Sequence, residues 1–148
     1  MLEKPIVGRG NVEIQLADGS TKTAKHILIA TGGHPVRPDM PNADLGIVSN
    51  DIFHLDALPK SLLIIGGGYI ACEFACIMKG LGVAVTQYYR GDQILRGFDN
   101  EARGLVADSM RDNGVDLKVN TNIATMDRSS DGRIDVVCIR PPLLEHRY

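Results

Sequence analysis

The chain has 148 residues, 44% of them hydrophobic and 23% charged, a formal net charge of −2 and no Trp. This length suits one domain with a sizeable core, and the near-balanced charge leaves no basic footprint for nucleic acid or an anionic membrane. No apolar run approaches the roughly 20 residues of a membrane span, and Met1-Leu2-Glu3-Lys4-Pro5 opens without an apolar signal core, so the expected compartment is the cytoplasm.

From Asn11 the sequence alternates, with Val12, Ile14 and Leu16 on one side and Glu13, Gln15 and Ala17 on the other. That is the period of a half-buried strand, and Asp18-Gly19 then predicts a hairpin turn. The returning arm ends in the continuous apolar run His26-Ile27-Leu28-Ile29-Ala30, which suits a strand buried on both faces. Thr31-Gly32-Gly33-His34-Pro35-Val36-Arg37-Pro38-Asp39-Met40-Pro41 follows, and its prolines end the sheet there. Residues 42–60 read as a linker with one short helical piece, capped from Ser49-Asn50-Asp51 ahead of Ile52, Phe53, Leu55 and Leu58.

Leu62-Leu63-Ile64-Ile65-Gly66-Gly67-Gly68-Tyr69-Ile70-Ala71 is the organising stretch. An apolar run of strand length feeds a Gly-x-Gly-x-x-Ala turn at Gly66, Gly68 and Ala71, and an amphipathic helix leaves from it. Strand, glycine turn and helix in that order are the context of a dinucleotide site. Gly66 permits the tight turn, Gly68 lets the main chain approach a pyrophosphate, and Ala71 lets helix and strand pack closely. The first-turn N–H groups then face the phosphates. The predicted helix, 69–81, carries Ile70, Phe74, Ile77, Met78 and Leu81 as its apolar stripe, with Gly80 and Gly82 at its end. Val83-Ala84-Val85-Thr86-Gln87-Tyr88-Tyr89 reads as the next parallel strand. A second helix runs from Asp99 or Asn100 through Ala102, Leu105, Val106 and Met110 to Gly114, and 115–119 is the third strand. Asp131-Gly132 between residues 123–126 and 134–139 predicts a hairpin. The expected fold class is therefore α/β: a Rossmann-like βαβ, three-layer dinucleotide-binding domain with a parallel sheet and a β-hairpin or meander.

The tip of the second parallel strand selects the nucleotide, because NAD needs an acceptor for the ribose hydroxyl and NADP needs cations for a 2′-phosphate. Tyr89 and Arg90 stand where an acidic residue would serve NAD. Arg90 and Arg96 flank Gly91-Asp92-Gln93-Ile94-Leu95, a loop short enough to bring both guanidinium groups onto one phosphate. The bland alternative is two solvated arginines.

Ala30-Thr31-Gly32-Gly33-His34-Pro35, Leu45-Gly46-Ile47, the glycine turn with Glu73-Phe74, Tyr89-Arg90-Gly91-Asp92 and Leu95-Arg96-Gly97-Phe98-Asp99 together resemble the glutathione reductase family of flavoprotein pyridine nucleotide-disulfide oxidoreductases. The resemblance runs from about residue 11 to 137. It implies an enzyme that carries FAD, NADP(H) and a redox-active dithiol, is a homodimer, and serves redox homeostasis. It implies that Tyr69 covers and uncovers a nicotinamide pocket, that Glu73 reaches towards the flavin–nicotinamide contact, and that Arg90 and Arg96 hold the 2′-phosphate. Thr31 and Gly32 would lie at the crossing between the FAD and NADP halves. The candidate cofactor-binding residues are thus Gly66, Gly67, Gly68, Tyr69, Ile70, Ala71, Glu73, Arg90, Arg96, Thr31 and Gly32. By the same likeness residues 1–41 are a remnant of the FAD-domain hairpin and strand, 42–60 the linker, 61–140 the NADP-binding domain and 141–148 a tail. Asn42 stands where the family pattern usually has Gly.

The family's FAD fingerprint, Cys-x4-Cys pair and dimerisation segment are absent from these residues. The chain is expected to be an excised central portion that turns nothing over, holds no FAD outside a complete parent, and contains no catalytic residue. Cys72 and Cys76 share a helix face with parallel side-chain vectors, so these two and Cys138 read as small core hydrophobes. The four histidines show no metal-ligand spacing, and no metal site is expected. Without resemblance, Tyr69 is a half-exposed ring at a helix start and Glu73 a carboxylate near a helix dipole. Three functions stay open: the NADP(H)-binding domain of a disulfide reductase, a stand-alone nucleotide module without catalysis, and an inert fragment. A further expectation is that residues 27–30 lie parallel to 62–65, within one chain or by exchange between two.

Overall fold

The structure is a computed structural model that describes residues 12–139. The chain divides into two compact units, Met1–His34 and Pro35–Tyr148. The start of the predicted first strand at Asn11 and the tail 141–148 lie outside the described residues.

In the first unit β1, Val12–Gln15, pairs antiparallel with β2, Thr21–Ala24. The Asp18-Gly19 turn forms as expected. Gly19 takes φ +83°, and Asp18 Oδ1 accepts from the Ser20 N–H at 2.9 Å and from its hydroxyl at 2.7 Å. These bonds favour the ionised carboxylate and hold the Asp18 pKa below its ordinary value. The expected strand over residues 26–30 does not form, and Leu28 and Ile29 are 89% and 62% exposed. An apolar run becomes a strand only when a neighbouring ladder takes up its N–H and C=O groups. Among the described residues these have no such ladder, and the expected pairing with 62–65 does not form within this chain, where the strand Ser61–Ile65 bonds to one neighbour only.

The second unit begins with the proline-rich connection, where the Arg37 guanidinium donates to the Gly46 carbonyl (3.0 Å) and stands 4.0 Å from Asp51. Two 3₁₀ turns follow, Ala43–Leu45 and Asp51–His54. Asn50 does not cap the second; instead Asp51 turns back to accept the Val48 N–H at 2.9 Å. Asn42 adopts the left-handed conformation that the family's Gly would take, at φ 60°. Asn is among the side chains that tolerate it. Its amide donates to the Met126 carbonyl (2.8 Å) and to Asp127 Oδ1 (3.0 Å), which fastens the segment to a later strand.

The parallel sheet runs in the order β3, Ser61–Ile65; β4, Ala84–Tyr88; β5, Asp116–Lys118. Helix α1, Tyr69–Gly80, connects the first two, and α2, Asn100–Asp112, the last two. Both helices stop by the same device. Gly82 (φ +89°) and Gly114 (φ +84°) turn the chain left-handed, and the next residue donates back into the last turn, Val83 to Met78 and Val115 to Met110, each at 3.0 Å. One core joins Cys72, Ala75 and Met78 of α1, Ala107 and Met110 of α2, and Val83, Val85, Ile94, Val115 and Leu117. The residues α1 buries are therefore mostly small. Ile70, Ile77 and Leu81 of the predicted stripe are exposed, Phe74 packs edge-on against Phe53 at 5.4 Å between centroids, and on α2 Leu105 is exposed. A helix lying close on a sheet leaves room for Ala and Cys beneath it, and the branched side chains flank the contact. After the sheet, β6, Asn122–Arg128, and β7, Ile134–Ile139, pair antiparallel around Asp131-Gly132 with an irregularity between Ile123 and Thr125. Cys76 and Cys138 are exposed, contrary to expectation, and only Cys72 is buried. Cys138 sits on a hairpin arm with little packed against it.

Asp99 caps α2 by accepting from the Glu101 and Ala102 N–H groups at 3.0 and 3.1 Å. Asp99→Ala should lower stability by about 1 kcal/mol, read as a fall in denaturant midpoint with unchanged m-value.

Candidate functional site

The turn after β3 is built from main chain. Gly66 takes φ +140°, a conformation strained for any side chain, and its N–H donates to the Tyr88 carbonyl at 2.9 Å. Gly67 is buried because the Tyr89 ring fills the space of its missing Cβ: an added carbon would lie 2.4 Å from the ring. At Gly91, in the next loop, an added carbon would likewise meet this ring, at 2.6 Å. Gly68, in contrast, faces open space, so it is the one position of the turn where a ligand could replace an absent side chain. It is also the N-cap of α1 and supplies no side-chain acceptor. Of the two α-helices, α2 starts on a carboxylate cap and α1 on bare N–H groups. An uncapped helix start with room in front of it is an anion site by its dipole and donors. Tyr69, Ile70 and Ala71 form the first turn, with Tyr69 57% exposed, and Glu73 is exposed one turn on.

The loop after β4 is fixed to that turn. The Leu95 N–H donates to the Gly67 carbonyl at 2.6 Å, with Leu95 itself left-handed at φ 57°, and Ile94 is fully buried beneath it. Arg103 reaches from α2 to the Ile94 and Gln93 carbonyls, both at 2.7 Å, and to Asn100 Oδ1 at 2.8 Å. The segment before β6 closes the other side, with Asn120 N–H on the Gly91 carbonyl (2.8 Å) and Thr121 N–H on that of Tyr89 (3.0 Å). Arg90 and Arg96 stand on this rigid loop, both exposed, and neither forms a hydrogen bond or ion pair among the described residues. The site thus combines bare helical donors with two guanidinium groups that are unengaged among the described residues.

The structure brings the glycine turn and the arginine loop together. Thr31 and Gly32 lie in the first unit, both exposed, Gly32 at φ +69°. The sequence pattern did not single out Tyr89 as the packing partner of two glycines, Arg103 as the clamp, or Gln87, which is fully buried on β4. Between α1 and α2 a groove of about 440 Å³ is lined by Tyr69, Cys72, Glu73, Cys76, Leu95 and Phe98 among others. Burial pushes the Cys72 thiol above its ordinary value, with the Gln87 amide pulling the other way. Among the described residues no group of three metal-ligating side chains occurs, and no helix is long and apolar enough to cross a membrane.

A profile of the family described as pyridine nucleotide-disulphide oxidoreductase matches residues 3–140. The chain belongs to this family. It is 47% identical over 110 residues to a glutathione reductase of Burkholderia cepacia, covering 74% of this chain and 24% of that protein. Against a trypanothione reductase of Leishmania donovani the identity is 43% over 115 residues, 76% of this chain and 23% of the other. The chain therefore spans about a quarter of the length of the curated relatives it matches. Among solved structures, an HOCl-induced flavoprotein disulfide reductase from Escherichia coli superposes with a TM-score of 0.69 at 26% identity, covering 86% of this chain and 30% of that one. The parallel sheet with its crossover helices and hairpins is the Rossmann-type α/β fold of these pyridine nucleotide-disulphide oxidoreductases.

The contact of Gly67 with Tyr89 can be tested directly. Gly67→Ala should cost about 1–3 kcal/mol of stability through overpacking, and Tyr89→Ala in the same chain should recover part of it. A double-mutant cycle in urea reads the coupling, and strictly additive losses would contradict the contact.

Proposed function

We propose that residues 61–140 are the NADP(H)-binding domain of a glutathione reductase-like flavoprotein disulfide oxidoreductase. The observation that carries this reading is the pairing of an uncapped, open-faced glycine turn with Arg90 and Arg96, unengaged on a loop hydrogen-bonded to that turn. The first-turn N–H groups of α1 would receive the pyrophosphate, and Gly68 is the point of closest approach. Arg90 and Arg96 would take the 2′-phosphate, a dianion that two guanidinium groups match in charge and fork geometry. Tyr69 and Glu73, exposed on the first turns of α1, would in this reading meet the nicotinamide half of the nucleotide. Bound NADPH supplies a hydride, which in a complete enzyme passes to FAD and then, as electrons, to a disulfide. This chain's own residues bind and orient the nucleotide. Thr31 and Gly32 would lie, in this reading, at the crossing between the flavin and NADP halves.

Titration with NADPH and NADH tests the proposal. NADPH should bind the more tightly, and Arg90→Ala or Arg96→Ala should each weaken it by about 1.5–3 kcal/mol, the worth of a hydrogen bond to a charged group. NADH affinity should scarcely move, and equal losses for both nucleotides would defeat the 2′-phosphate assignment. Gly68→Ala separates binding from folding. The backbone at φ −78°, ψ 172° suits any residue and the new Cβ meets no atom, so the thermal midpoint should hold while NADPH binding is lost.

A further inference from the structure

Gln87 stands on β4 opposite Leu117 and beside Cys72 of α1, both members of the apolar core. It is completely buried. Its amide Nε2 donates to the Gly66 carbonyl at 2.9 Å and lies 3.6 Å from Cys72 Sγ. The Gly66 carbonyl can only accept, so the amide must present its nitrogen there. That leaves Oε1 buried with no donor among the described residues. An unsatisfied buried oxygen costs more than one neutral hydrogen bond returns, so for stability alone a leucine would serve better here.

We propose that Gln87 is a positioning residue for the nucleotide: it holds the glycine turn in the conformation that presents its N–H groups outward. The inference rests on the reading of the turn as a dinucleotide site. β4 grips the Gly66 residue at both of its polar groups, the N–H by the Tyr88 carbonyl and the C=O by the Gln87 amide. Gly66 C=O and Gly67 N–H belong to one planar trans peptide and point in opposite directions. Drawing the carbonyl inward to Gln87 therefore aims the Gly67 N–H away from Gln87, and that N–H has no acceptor among the described residues. Without the amide, a glycine at φ +140° followed by two more glycines has several backbone conformations open to it. The helix start would then lose its pre-set orientation, and nucleotide binding would have to supply the ordering.

Gln87→Leu and Gln87→Met in the full chain provide the test, with three measurements: thermal midpoint, NADPH affinity and amide hydrogen exchange. The midpoint should hold or rise, because the orphan oxygen is gone. NADPH affinity should nevertheless fall about five-fold, the equivalent of one neutral hydrogen bond. Exchange at the Gly66 and Cys72 amides should quicken while the amides of α2 stay as they were. A role in packing alone would give the opposite pattern, a lower midpoint with unchanged affinity in the folded fraction, and would overturn the proposal. Unchanged exchange at Gly66 and Cys72 would overturn it equally. If Gln87→Leu fails to fold, Gln87→Met, unbranched and of similar length, carries the comparison. A wild-type chain that binds no nucleotide would refute the proposed function, and the exchange measurement would still decide whether Gln87 orders the turn.

Discussion

The Tyr89 ring occupies the volume that a side chain on Gly67 would need, and near its hydroxyl end it also fills the space of one on Gly91. That one aromatic side chain sets the spacing between the turn after β3 and, farther along the chain, the end of β4 with the loop that follows it. Two carbonyls of Tyr89 and Gly91 then anchor residues 120–121, so the chain leading into β6 is aligned by the same contact. Packing decides the geometry here, and hydrogen bonds refine it. Interiors are dense enough that a ring wedged between two glycine backbones has essentially one seat.

From that seat the electrostatics follow. The loop of Arg90 and Arg96 carries its own weight through Ile94, fully buried, and through the Arg103 fork on two carbonyls. A guanidinium group that already serves carbonyls and Asn100 cannot also serve a ligand, and one that serves nothing is available to it. The fold thus divides its arginines between holding a loop and presenting charge. The same division appears at the helix starts. Asp99 satisfies α2, which makes that end structural, and α1 begins on glycine with its donors directed at solvent.

Local signals were legible in the sequence and non-local ones were not. Asp18-Gly19 and Asp131-Gly132 specify their hairpins within four residues, and Gly82 and Gly114 end their helices by backbone freedom alone. The position of Arg90 at the tip of β4 follows from strand order. Residues 26–30 misled because apolar composition states a demand for a ladder and not its presence. The stripe of α1 misled for another reason: Ile70, Ala71, Cys72, Phe74, Ala75, Ile77 and Met78 make the helix apolar nearly all round, so periodicity could not choose a face. Close packing chose the side with Cys72 and Ala75. Gln87 was invisible because its role depends on a carbonyl 21 residues earlier in the chain.

Among the described residues β3 bonds only to β4, and Ile65, on the face opposite Leu62 and Ile64, is exposed. An open strand of this kind invites a second chain to add to it, with Lys60 the one charged neighbour at its ends. Edge-to-edge encounter is bimolecular, so its rate rises with the square of protein concentration. The glycine turn follows the C-terminal end of the same strand, away from its hydrogen-bonding edge. Dilution is therefore the condition expected to limit association through such an edge.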